Sequence, residues 1–186
     1  TVEVNTQVGK ALYGDQNKLR EELSKYPLNY IRITENNTRP GAYGLAGSFY
    51  KCLMKAYNEN WSYLLFLEDD AVPILPPNQF NQRFNEVINT LPDNGSGLYN
   101  LGFAVYCKTS SNDNYKWIKS HDLNIYKTGT HCLLFGKNMI KIFTEYIKKN
   151  GINKPIDHII NDFNIWYWYG DLSSNGMFRG LFKQLY

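Results

Sequence analysis

The feature that most constrains this chain is a short apolar run that ends in three acidic residues. Residues Tyr63 to Leu67 are apolar at every position, and Glu68, Asp69 and Asp70 follow directly. An unbroken apolar run of this length is typical of a strand that is covered on both faces. Three carboxylates are a poor continuation of a core strand, so the strand is expected to reach the surface at Glu68 or Asp69. Ligands of α/β proteins bind at the sheet edge where such strands end.

The three acids also suggest a metal site. Along an extended segment, Glu68 and Asp70 point to one side and Asp69 points to the other. Two carboxylates on one side suit Mg²⁺ or Mn²⁺, hard cations that can bind a diphosphate at the same time. An acidic turn that only keeps a strand end in water would show the same residues. Local sequence leaves both interpretations open.

Composition excludes several classes of protein. With 186 residues, 43% of them hydrophobic and 20% charged, the chain is expected to be a globular domain with a sizeable core. The net charge of +3 is not gathered into a basic stripe, which argues against a nucleic-acid partner. No apolar run approaches the length of a membrane span. The missing start Met suggests a trimmed or excised domain, and further domains of the same chain are candidate partners.

The three cysteines are Cys52, Cys107 and Cys132, an odd number at wide spacing in apolar surroundings. Buried free thiols are therefore expected rather than a disulfide framework, and this favours a reducing compartment such as the cytoplasm. The cysteines and the three histidines never occur at the spacing of a zinc site.

Hydrophobic periodicity predicts an open α/β sheet flanked by helices, with a nucleotide-binding first half (1–105) and a more variable second half (106–186). The segment from Lys108 to Asp122 is polar and is expected to be an active-site loop or a hairpin. The tail from Met177 to Tyr186 is expected to dock on the sheet or on a following domain. The predicted strands are Val2–Val4, Leu28–Thr34, Tyr63–Leu67, Leu98–Val105 and Thr130–Phe135, and the predicted helices are Asp15–Tyr26, Tyr43–Asn58, Asn78–Leu91, Lys137–Lys149 and Pro155 to about Trp168.

These elements resemble the GT-A fold of glycosyltransferases. A helix that contains Gly44-Leu45-Ala46-Gly47-Ser48-Phe49 precedes the hydrophobic strand, and Glu68-Asp69-Asp70 stands where that fold carries its Asp-X-Asp metal motif. Leu98 to Gly102, Thr128 to Phe135 and Lys154 to Asp157 follow in an order similar to glycosyltransferase family 25, the lipopolysaccharide-type and collagen-type galactosyltransferases. Glu68 and Cys132 depart from the family pattern. The compact, Asn- and Tyr-rich chain is also similar to virus-encoded glycosyltransferase domains of large algal (chlorella-type) viruses, which would place it in the host cytoplasm.

The resemblance implies a metal-dependent inverting transfer of a sugar from a UDP-sugar to a hydroxyl of a glycan acceptor, with Mn²⁺ or Mg²⁺ as cofactor. The second half of the chain would then bind the acceptor. Asp70 is the expected direct metal ligand, and Glu68 is expected to be a second ligand or a ribose contact. Asp69 would face the hydroxyls of the donor sugar.

An inverting mechanism needs a carboxylate that accepts the proton of the acceptor hydroxyl. Asp157 is the candidate, since it lies in the first turn of a predicted helix, where the helix dipole keeps it ionised. An aspartate at that position is also common without any catalytic duty. Asp122 is the reserve candidate.

The resemblance also assigns donor-binding residues. Asn5 and Thr6 end the first strand, where GT-A folds hold the base, and Arg39 in its Pro-Gly loop is a more suitable diphosphate contact than Arg32. Gly44 and Ser48 lie on the helix that faces this loop, where small residues permit close approach by a nucleotide. Tight helix packing would produce the same small residues.

Three assignments stay open. His131 is either a third metal ligand or acceptor contact, or a half-buried histidine that bonds to the backbone, and the second interpretation is favoured. The run Trp166-Tyr167-Trp168-Tyr169 is interpreted as part core and part acceptor platform, near the end of the last long helix. A sugar nucleotidyltransferase and a catalytically inactive glycan-binding relative are the alternative functions. No Gly-x-x-x-x-Gly-Lys-Ser/Thr loop is present, which disfavours an ATPase.

Overall fold

The computed structural model describes residues 2–5, 30–32, 42–68, 71–102, 104–106, 115–119, 131–152, 156–163, 166–172 and 177–184. Four α-helices occur in these ranges, α1 (Ala42–Asn58), α2 (Pro77–Asn89), α3 (Lys137–Asn150) and α4 (Ile156–Phe163), together with a 3₁₀ turn at Pro92–Gly95. The strands are β1 (Val2–Asn5), β2 (Tyr30–Arg32), β3 (Tyr63–Glu68), β4 (Ala71–Pro73), β5 (Leu98–Asn100), β6 (Ala104–Tyr106), β7 (Tyr115–Lys119), β8 (Cys132–Gly136), β9 (Trp166–Leu172), β10 (Met177–Arg179) and β11 (Phe182–Gln184).

The main sheet has the strand order β2-β1-β3-β8-β5-β9-β10-β6, and β7 pairs with β9 beside this path. β1 runs parallel to both β2 and β3, whereas β8 runs antiparallel to β3 and to β5. β9 is parallel to β5. This is an open mixed sheet flanked by helices, so the predicted fold class is confirmed. Because β8 lies between β3 and β5, the two predicted halves of the chain share one sheet.

β3 is the buried central strand that the sequence predicts. Leu64 and Phe66 pack on one side of the sheet, in a core shared with α1, α3 and α4. Leu65 and Leu67 pack on the other side, in a core shared with α2. From Leu64 to Leu67 the strand is thus covered on both faces, whereas Tyr63 at its start is exposed and Glu68 at its end is half-exposed.

Three predicted helices are confirmed to within one or two residues, namely α1, α2 and α3. Each is amphipathic with its apolar face on the sheet, which is the pattern that gives the most reliable prediction. The helix expected from Asp15 to Tyr26 lies outside the described residues.

The helix predicted from Pro155 to Trp168 is wrong in its second half. α4 ends at Phe163, and Trp166–Leu172 is strand β9. Aromatic residues favour strands, and here consecutive rings face opposite sides of the sheet: Trp168 enters the core beneath the helices, while Tyr167 and Tyr169 enter the α2 core. Pairing of β9 with β5 and β7 decides the structure, and periodicity along one segment does not reveal it.

Two further predictions are refined. The polar segment from Lys108 to Asp122 contains strand β7, which pairs with β9, so part of it belongs to the sheet. The strand predicted from Leu98 to Val105 is divided into β5 and β6, with a bend at Gly102. The tail docks as predicted, since β10 joins the main sheet and β11 pairs with β4 in a separate two-stranded sheet.

Candidate functional site

The carboxyl end of β3 brings predicted site residues together along one edge of the sheet. Asn5, the last residue of β1, is paired in register with Glu68, the last residue of β3. Asn5 and Glu68 are adjacent because β1 and β3 pair in parallel and end at the same level. The sequence assigns both residues to donor binding, and the structure makes them adjacent on the backbone.

On the other side of β3, strand β8 begins at this same edge. The Glu68 amide donates a hydrogen bond to the His131 carbonyl at 3.0 Å, and Leu67 pairs with Cys132. The Leu101 amide then donates to the Cys132 carbonyl at 3.0 Å. The edge therefore runs from β1 through Glu68 and His131 to the end of β5, and we call it the carboxyl edge.

The Glu68 carboxylate influences the neighbouring Cys132 thiol. Complete burial raises the pKa of Cys132 well above its usual value, and the negative charge of Glu68 adds to this effect. Cys132 therefore stays a neutral thiol at physiological pH and acts as a small apolar core residue. Cys52 and Cys132 are both buried thiols that form no disulfide, as predicted, while Cys107 lies outside the described residues.

His131 is buried at the carboxyl edge, with 7% of its surface exposed. Neither ring nitrogen has a hydrogen-bond partner within the described part of the chain. Burial lowers the pKa of His131 to about 4, and the Phe182 main chain, which lies nearby, opposes this only in part. The ring is therefore neutral at pH 7. The favoured expectation is a half-buried histidine bonded to the backbone. The ring is buried rather than half-buried, and the expected backbone bond is reduced to a weak interaction with the Phe182 main chain.

The ring of His131 lies against Gly102, where the chain bends after β5. A Cβ atom at Gly102 would come within 2.5 Å of His131 Cδ2 and within 2.7 Å of Cys132 Cβ. The Gly102 amide donates to Oδ1 of the buried Asn100 at 3.0 Å, which holds the bend. Sequence reasoning missed Asn100 and Gly102 as parts of the site. Their signal is an amide residue and a glycine directly after an apolar strand.

α1 carries two of the predicted donor-binding residues. β2 and β3 are both parallel to β1, so the helix that connects them runs back across the sheet and begins at the carboxyl edge. Gly44 and the buried Ser48 lie in the first half of α1 and thus on the side of this edge. Small residues at these positions are compatible with both predicted roles, helix packing and nucleotide approach.

Asp157 lies in the first turn of α4, as predicted, and is half-buried. Its Oδ1 accepts a hydrogen bond from the amide of His158 at 3.0 Å, which is a local contact. The catalytic role of Asp157 stays a prediction. Thr6, Arg39, Asp69, Asp70 and Asp122 lie outside the described residues, so their roles also stay predictions. Within the described ranges, no three His, Cys, Asp or Glu side chains form a cluster that could hold a metal ion.

Three of the four aromatic residues of the run in β9 belong to the core. Tyr167, Trp168 and Tyr169 are all buried, and Tyr169 packs on Trp117 of β7 with ring centroids 5.0 Å apart. These three rings are therefore not an acceptor platform in this structure. The interpretation as part core and part platform is corrected to core for the three residues, because the strand alternates them between the two covered faces of the sheet.

A surface depression of about 490 Å³ lies at the opposite end of the sheet. Its lining includes Trp61, just before β3, and Lys137, just after β8. These positions mark the edge where β3 begins, so the depression is separate from the carboxyl edge.

No protein-family model matches the chain, and no curated protein matches it in sequence. The fold is similar to the crystal structure of A197 from STIV, with 16% identity, a TM-score of 0.48 and coverage of 96% of this chain and 92% of that one. It is also similar to a mannose-1-phosphate geranyltransferase from Thermus thermophilus, with 8% identity, a TM-score of 0.41 and coverage of 90% of this chain and 58% of that one. These likenesses are too distant to carry an argument about function. None of the described helices is long and apolar enough to cross a membrane.

Proposed function

We propose that this chain is a glycosyltransferase domain that moves a sugar from a UDP-sugar to a hydroxyl of a glycan acceptor, with the aid of Mn²⁺ or Mg²⁺ and with inversion at the anomeric carbon. The observation that carries the proposal is the position of Glu68. It ends the buried central strand at the carboxyl edge, paired with Asn5 on one side and bonded to His131 on the other. Asp69 and Asp70 follow it directly in the sequence.

The chemistry of this edge fits a divalent cation. Glu68 is half-exposed at a strand end, where its carboxylate can meet a ligand. His131, whose backbone accepts the bond from the Glu68 amide, carries a neutral imidazole that meets only the Phe182 main chain weakly. Carboxylate oxygens are the ligands that Mg²⁺ and Mn²⁺ prefer. Asp70 and Glu68 would hold the ion, and a bound ion would offset the negative charge that develops on the leaving diphosphate.

The remaining roles follow from the resemblance. Asn5 and Thr6 would contact the uracil base, Arg39 the diphosphate, and Gly44 with Ser48 would border the nucleotide. Asp69 would bind donor-sugar hydroxyls. Asp157 would accept the proton of the acceptor hydroxyl as the new bond forms.

Calorimetric titration of the purified protein with UDP, with and without Mn²⁺, tests the proposal, with ATP and GDP as competing nucleotides. Binding that needs Mn²⁺ and prefers UDP is the expected result. Equal binding of all three nucleotides would contradict a UDP-sugar site. Formation of a sugar nucleotide from UTP and a sugar 1-phosphate would instead identify a nucleotidyltransferase. Absence of nucleotide binding together with glycan binding would identify an inactive relative.

A further inference from the structure

The surface depression at the start of β3 has the size of a ligand site. Its volume is about 490 Å³, and small-molecule sites typically have volumes of about 300 to 1,000 Å³. It opens where α1 ends and α3 begins, beside the paired residues Tyr63 and Gly136 that mark this edge of the sheet. Its polar and aromatic lining includes Asn58, Asn60, Trp61, Lys137, Asn138 and Lys141.

The lining of the depression is positively charged. Lys137 and Lys141 are exposed and lie one helical turn apart, so they share a face of α3. The described residues that line the depression include no aspartate or glutamate. Glu59 lies between two lining residues in the sequence, but its carboxylate is paired with the Lys55 ammonium group. Two cations without a carboxylate beside them favour an anionic ligand.

The aromatic part of the lining is held in place by the end of α1. Asn60 takes a positive φ of 56°, and the Trp61 amide then donates to the Ala56 carbonyl at 2.9 Å. This bond is typical of a helix that ends at a left-handed residue. Nε1 of Trp61 donates to Oε2 of Glu59 at 2.9 Å, and the Lys55 ammonium group lies 5.7 Å from the centre of the ring. The indole is therefore positioned before a ligand arrives, which lowers the entropy cost of binding.

The amide side chains of the lining narrow the class of ligand. Asn58, Asn60 and Asn138 are all exposed, and each can donate and accept hydrogen bonds. Hydroxyl groups also do both, so they match these amides, whereas an inorganic anion offers acceptors alone. An aromatic ring adds an apolar surface on which a sugar ring can pack. A neutral sugar would leave the two lysines unused, so the combination fits a sugar that carries a negative charge.

We propose that the depression binds an acidic sugar unit of a glycan, with the carboxylate on Lys137 and Lys141, the hydroxyls on the asparagine amides and the sugar ring against Trp61. The site is distinct from the carboxyl edge. Tyr63 and Glu68 are the two ends of β3, five residue steps or about 17 Å apart. The proposal therefore does not depend on the chain being a glycosyltransferase.

Nuclear magnetic resonance of the ¹⁵N-labelled protein tests the proposal through the indole N–H signal of Trp61, which is assigned by its loss in Trp61→Phe. Digalacturonic acid is the main probe, and its methyl ester is the matched neutral probe. Digalacturonic acid should shift the Trp61 signal saturably, with an affinity at least about fivefold higher than that of the ester. Raising the salt concentration from about 0.05 to 0.5 M should weaken binding of the acid and leave binding of the ester unchanged.

Exposed substitutions test the lining without disturbing the core. Lys137→Gln and Lys141→Gln should each weaken binding of digalacturonic acid by about two- to fivefold, the usual size of an exposed charge interaction. Lys149→Gln removes an exposed lysine from the far end of α3 and should leave the affinity unchanged. Asn138→Asp places a negative charge in the first turn of α3, which is favourable for the helix. It should therefore keep the melting temperature and still weaken binding.

Absence of a saturable shift of the Trp61 signal with digalacturonic acid would overturn the proposal. Equal affinities for the acid and its ester, or an equal loss in Lys149→Gln, would refute the role of the two lysines. Displacement of the acid by equimolar inorganic phosphate would show a general anion site and also contradict an acidic-sugar site. UDP with Mn²⁺ should leave the Trp61 signal in place. Competition by UDP would identify the depression as a nucleotide site, whereas failure of UDP to bind anywhere would refute only the proposed function.

Discussion

The Tyr167 hydroxyl donates a hydrogen bond to Oδ2 of Asp93 at 2.7 Å, across 74 positions of the chain. The ring of Tyr167 stacks on Tyr99 with centroids 5.9 Å apart, and the Tyr99 hydroxyl donates to the Pro92 carbonyl at 2.6 Å. Two strands therefore hold the 3₁₀ turn through tyrosine hydroxyls. The turn needs this support because Asp93 and Asn94 have φ values of 50° and 53°, which are unfavourable for residues with a side chain.

We predict that Tyr167→Phe lowers the free energy of unfolding by about 1 kcal/mol at neutral pH, the usual net value of one hydrogen bond. The size of this loss of unfolding free energy should change with pH in the alkaline range. Burial and, after it, the bond to Asp93 raise the pKa of Tyr167 to about 12. Between the ordinary tyrosine pKa of 10.0 and this raised value, the unfolded chain loses the proton while the folded chain keeps it, so the stability supplied by Tyr167 falls as pH rises.

Urea unfolding of both proteins at about pH 8, 10 and 11.5 measures this dependence. The difference between the unsubstituted protein and Tyr167→Phe should shrink across the series. A difference that stays constant would mean that the hydroxyl is not held in its neutral form by the fold.

Gly102→Ala should disturb the carboxyl edge specifically. Its Cβ would meet His131 Cδ2 at 2.5 Å and the Cys132 amide nitrogen at 2.8 Å, so backbone atoms must shift, at a cost of about 1 to 3 kcal/mol. Gly151→Ala is the matched control, since φ is +69° there and a Cβ meets nothing within 4 Å. Backbone strain alone should cost the control a similar amount.

Reaction of Cys132 with a thiol reagent in the native protein measures whether the added methyl group displaces the backbone around Cys132. This measurement needs no ligand. Cys132 should react faster in Gly102→Ala than in Gly151→Ala, and UDP affinity should fall only in the former. Equal behaviour of the two variants would show that the edge adapts to the added methyl group.

The buried cysteines should be inert in the unsubstituted protein. Cys52 and Cys132 are buried thiols that form no disulfide, and the pKa of Cys132 is raised well above its usual range. Thiolate formation and access are both needed for alkylation. Peptide mass spectrometry after iodoacetamide treatment at about pH 8 should find both residues unmodified until urea is added. Modification of Cys132 in native protein would show that the carboxyl edge opens in solution.

Asp70→Ala should abolish Mn²⁺-dependent UDP binding and leave the melting temperature nearly unchanged, since a charged residue that follows the buried strand in the sequence adds little to the core. Glu145→Ala removes an exposed carboxylate from α3 and controls for nonspecific cation binding. Calorimetric titration of the unsubstituted protein, Asp70→Ala and Glu145→Ala with UDP, with and without Mn²⁺, makes this comparison. Undiminished Mn²⁺ dependence in Asp70→Ala would refute its assignment as a metal ligand.

Asp157→Asn should preserve donor binding and lose sugar transfer, because the amide cannot accept the acceptor proton. UDP affinity and transfer from a radiolabelled UDP-sugar to a glycan acceptor are measured side by side. Unchanged turnover would exclude Asp157 as the base and direct attention to Asp122.

The local sequence pattern predicts an element correctly when the element's own residues determine which of its faces is buried. β3 is predicted as a buried strand because every residue from Tyr63 to Leu67 is apolar, and α3 is predicted as a helix because its buried residues recur at helical spacing. The helix prediction over β9 is wrong because four adjacent aromatic residues fit either structure. Only its pairing with β5 and β7, distant in sequence, makes it a strand.

The residues of the candidate site likewise include some that the sequence predicts and some that it does not. An acidic strand end is visible in sequence, and Asn5 can be placed beside Glu68 because both end parallel strands. The unpaired nitrogens of His131 are not foreseeable, since they depend on what the ring meets at Gly102 and Phe182. The docking of β11 is hidden for the same reason: three residues carry no periodicity, and their contacts lie at Leu101 and Phe80.

The antiparallel direction of β8 has a consequence for how such a site can diversify. In a purely parallel sheet, only connections that depart from strands reach the carboxyl edge. Here the chain also arrives at that edge, because β8 starts with Cys132 beside the end of β3. The length and composition of the chain before His131 can therefore change what the edge accepts, while the register of the sheet and both cores stay as they are.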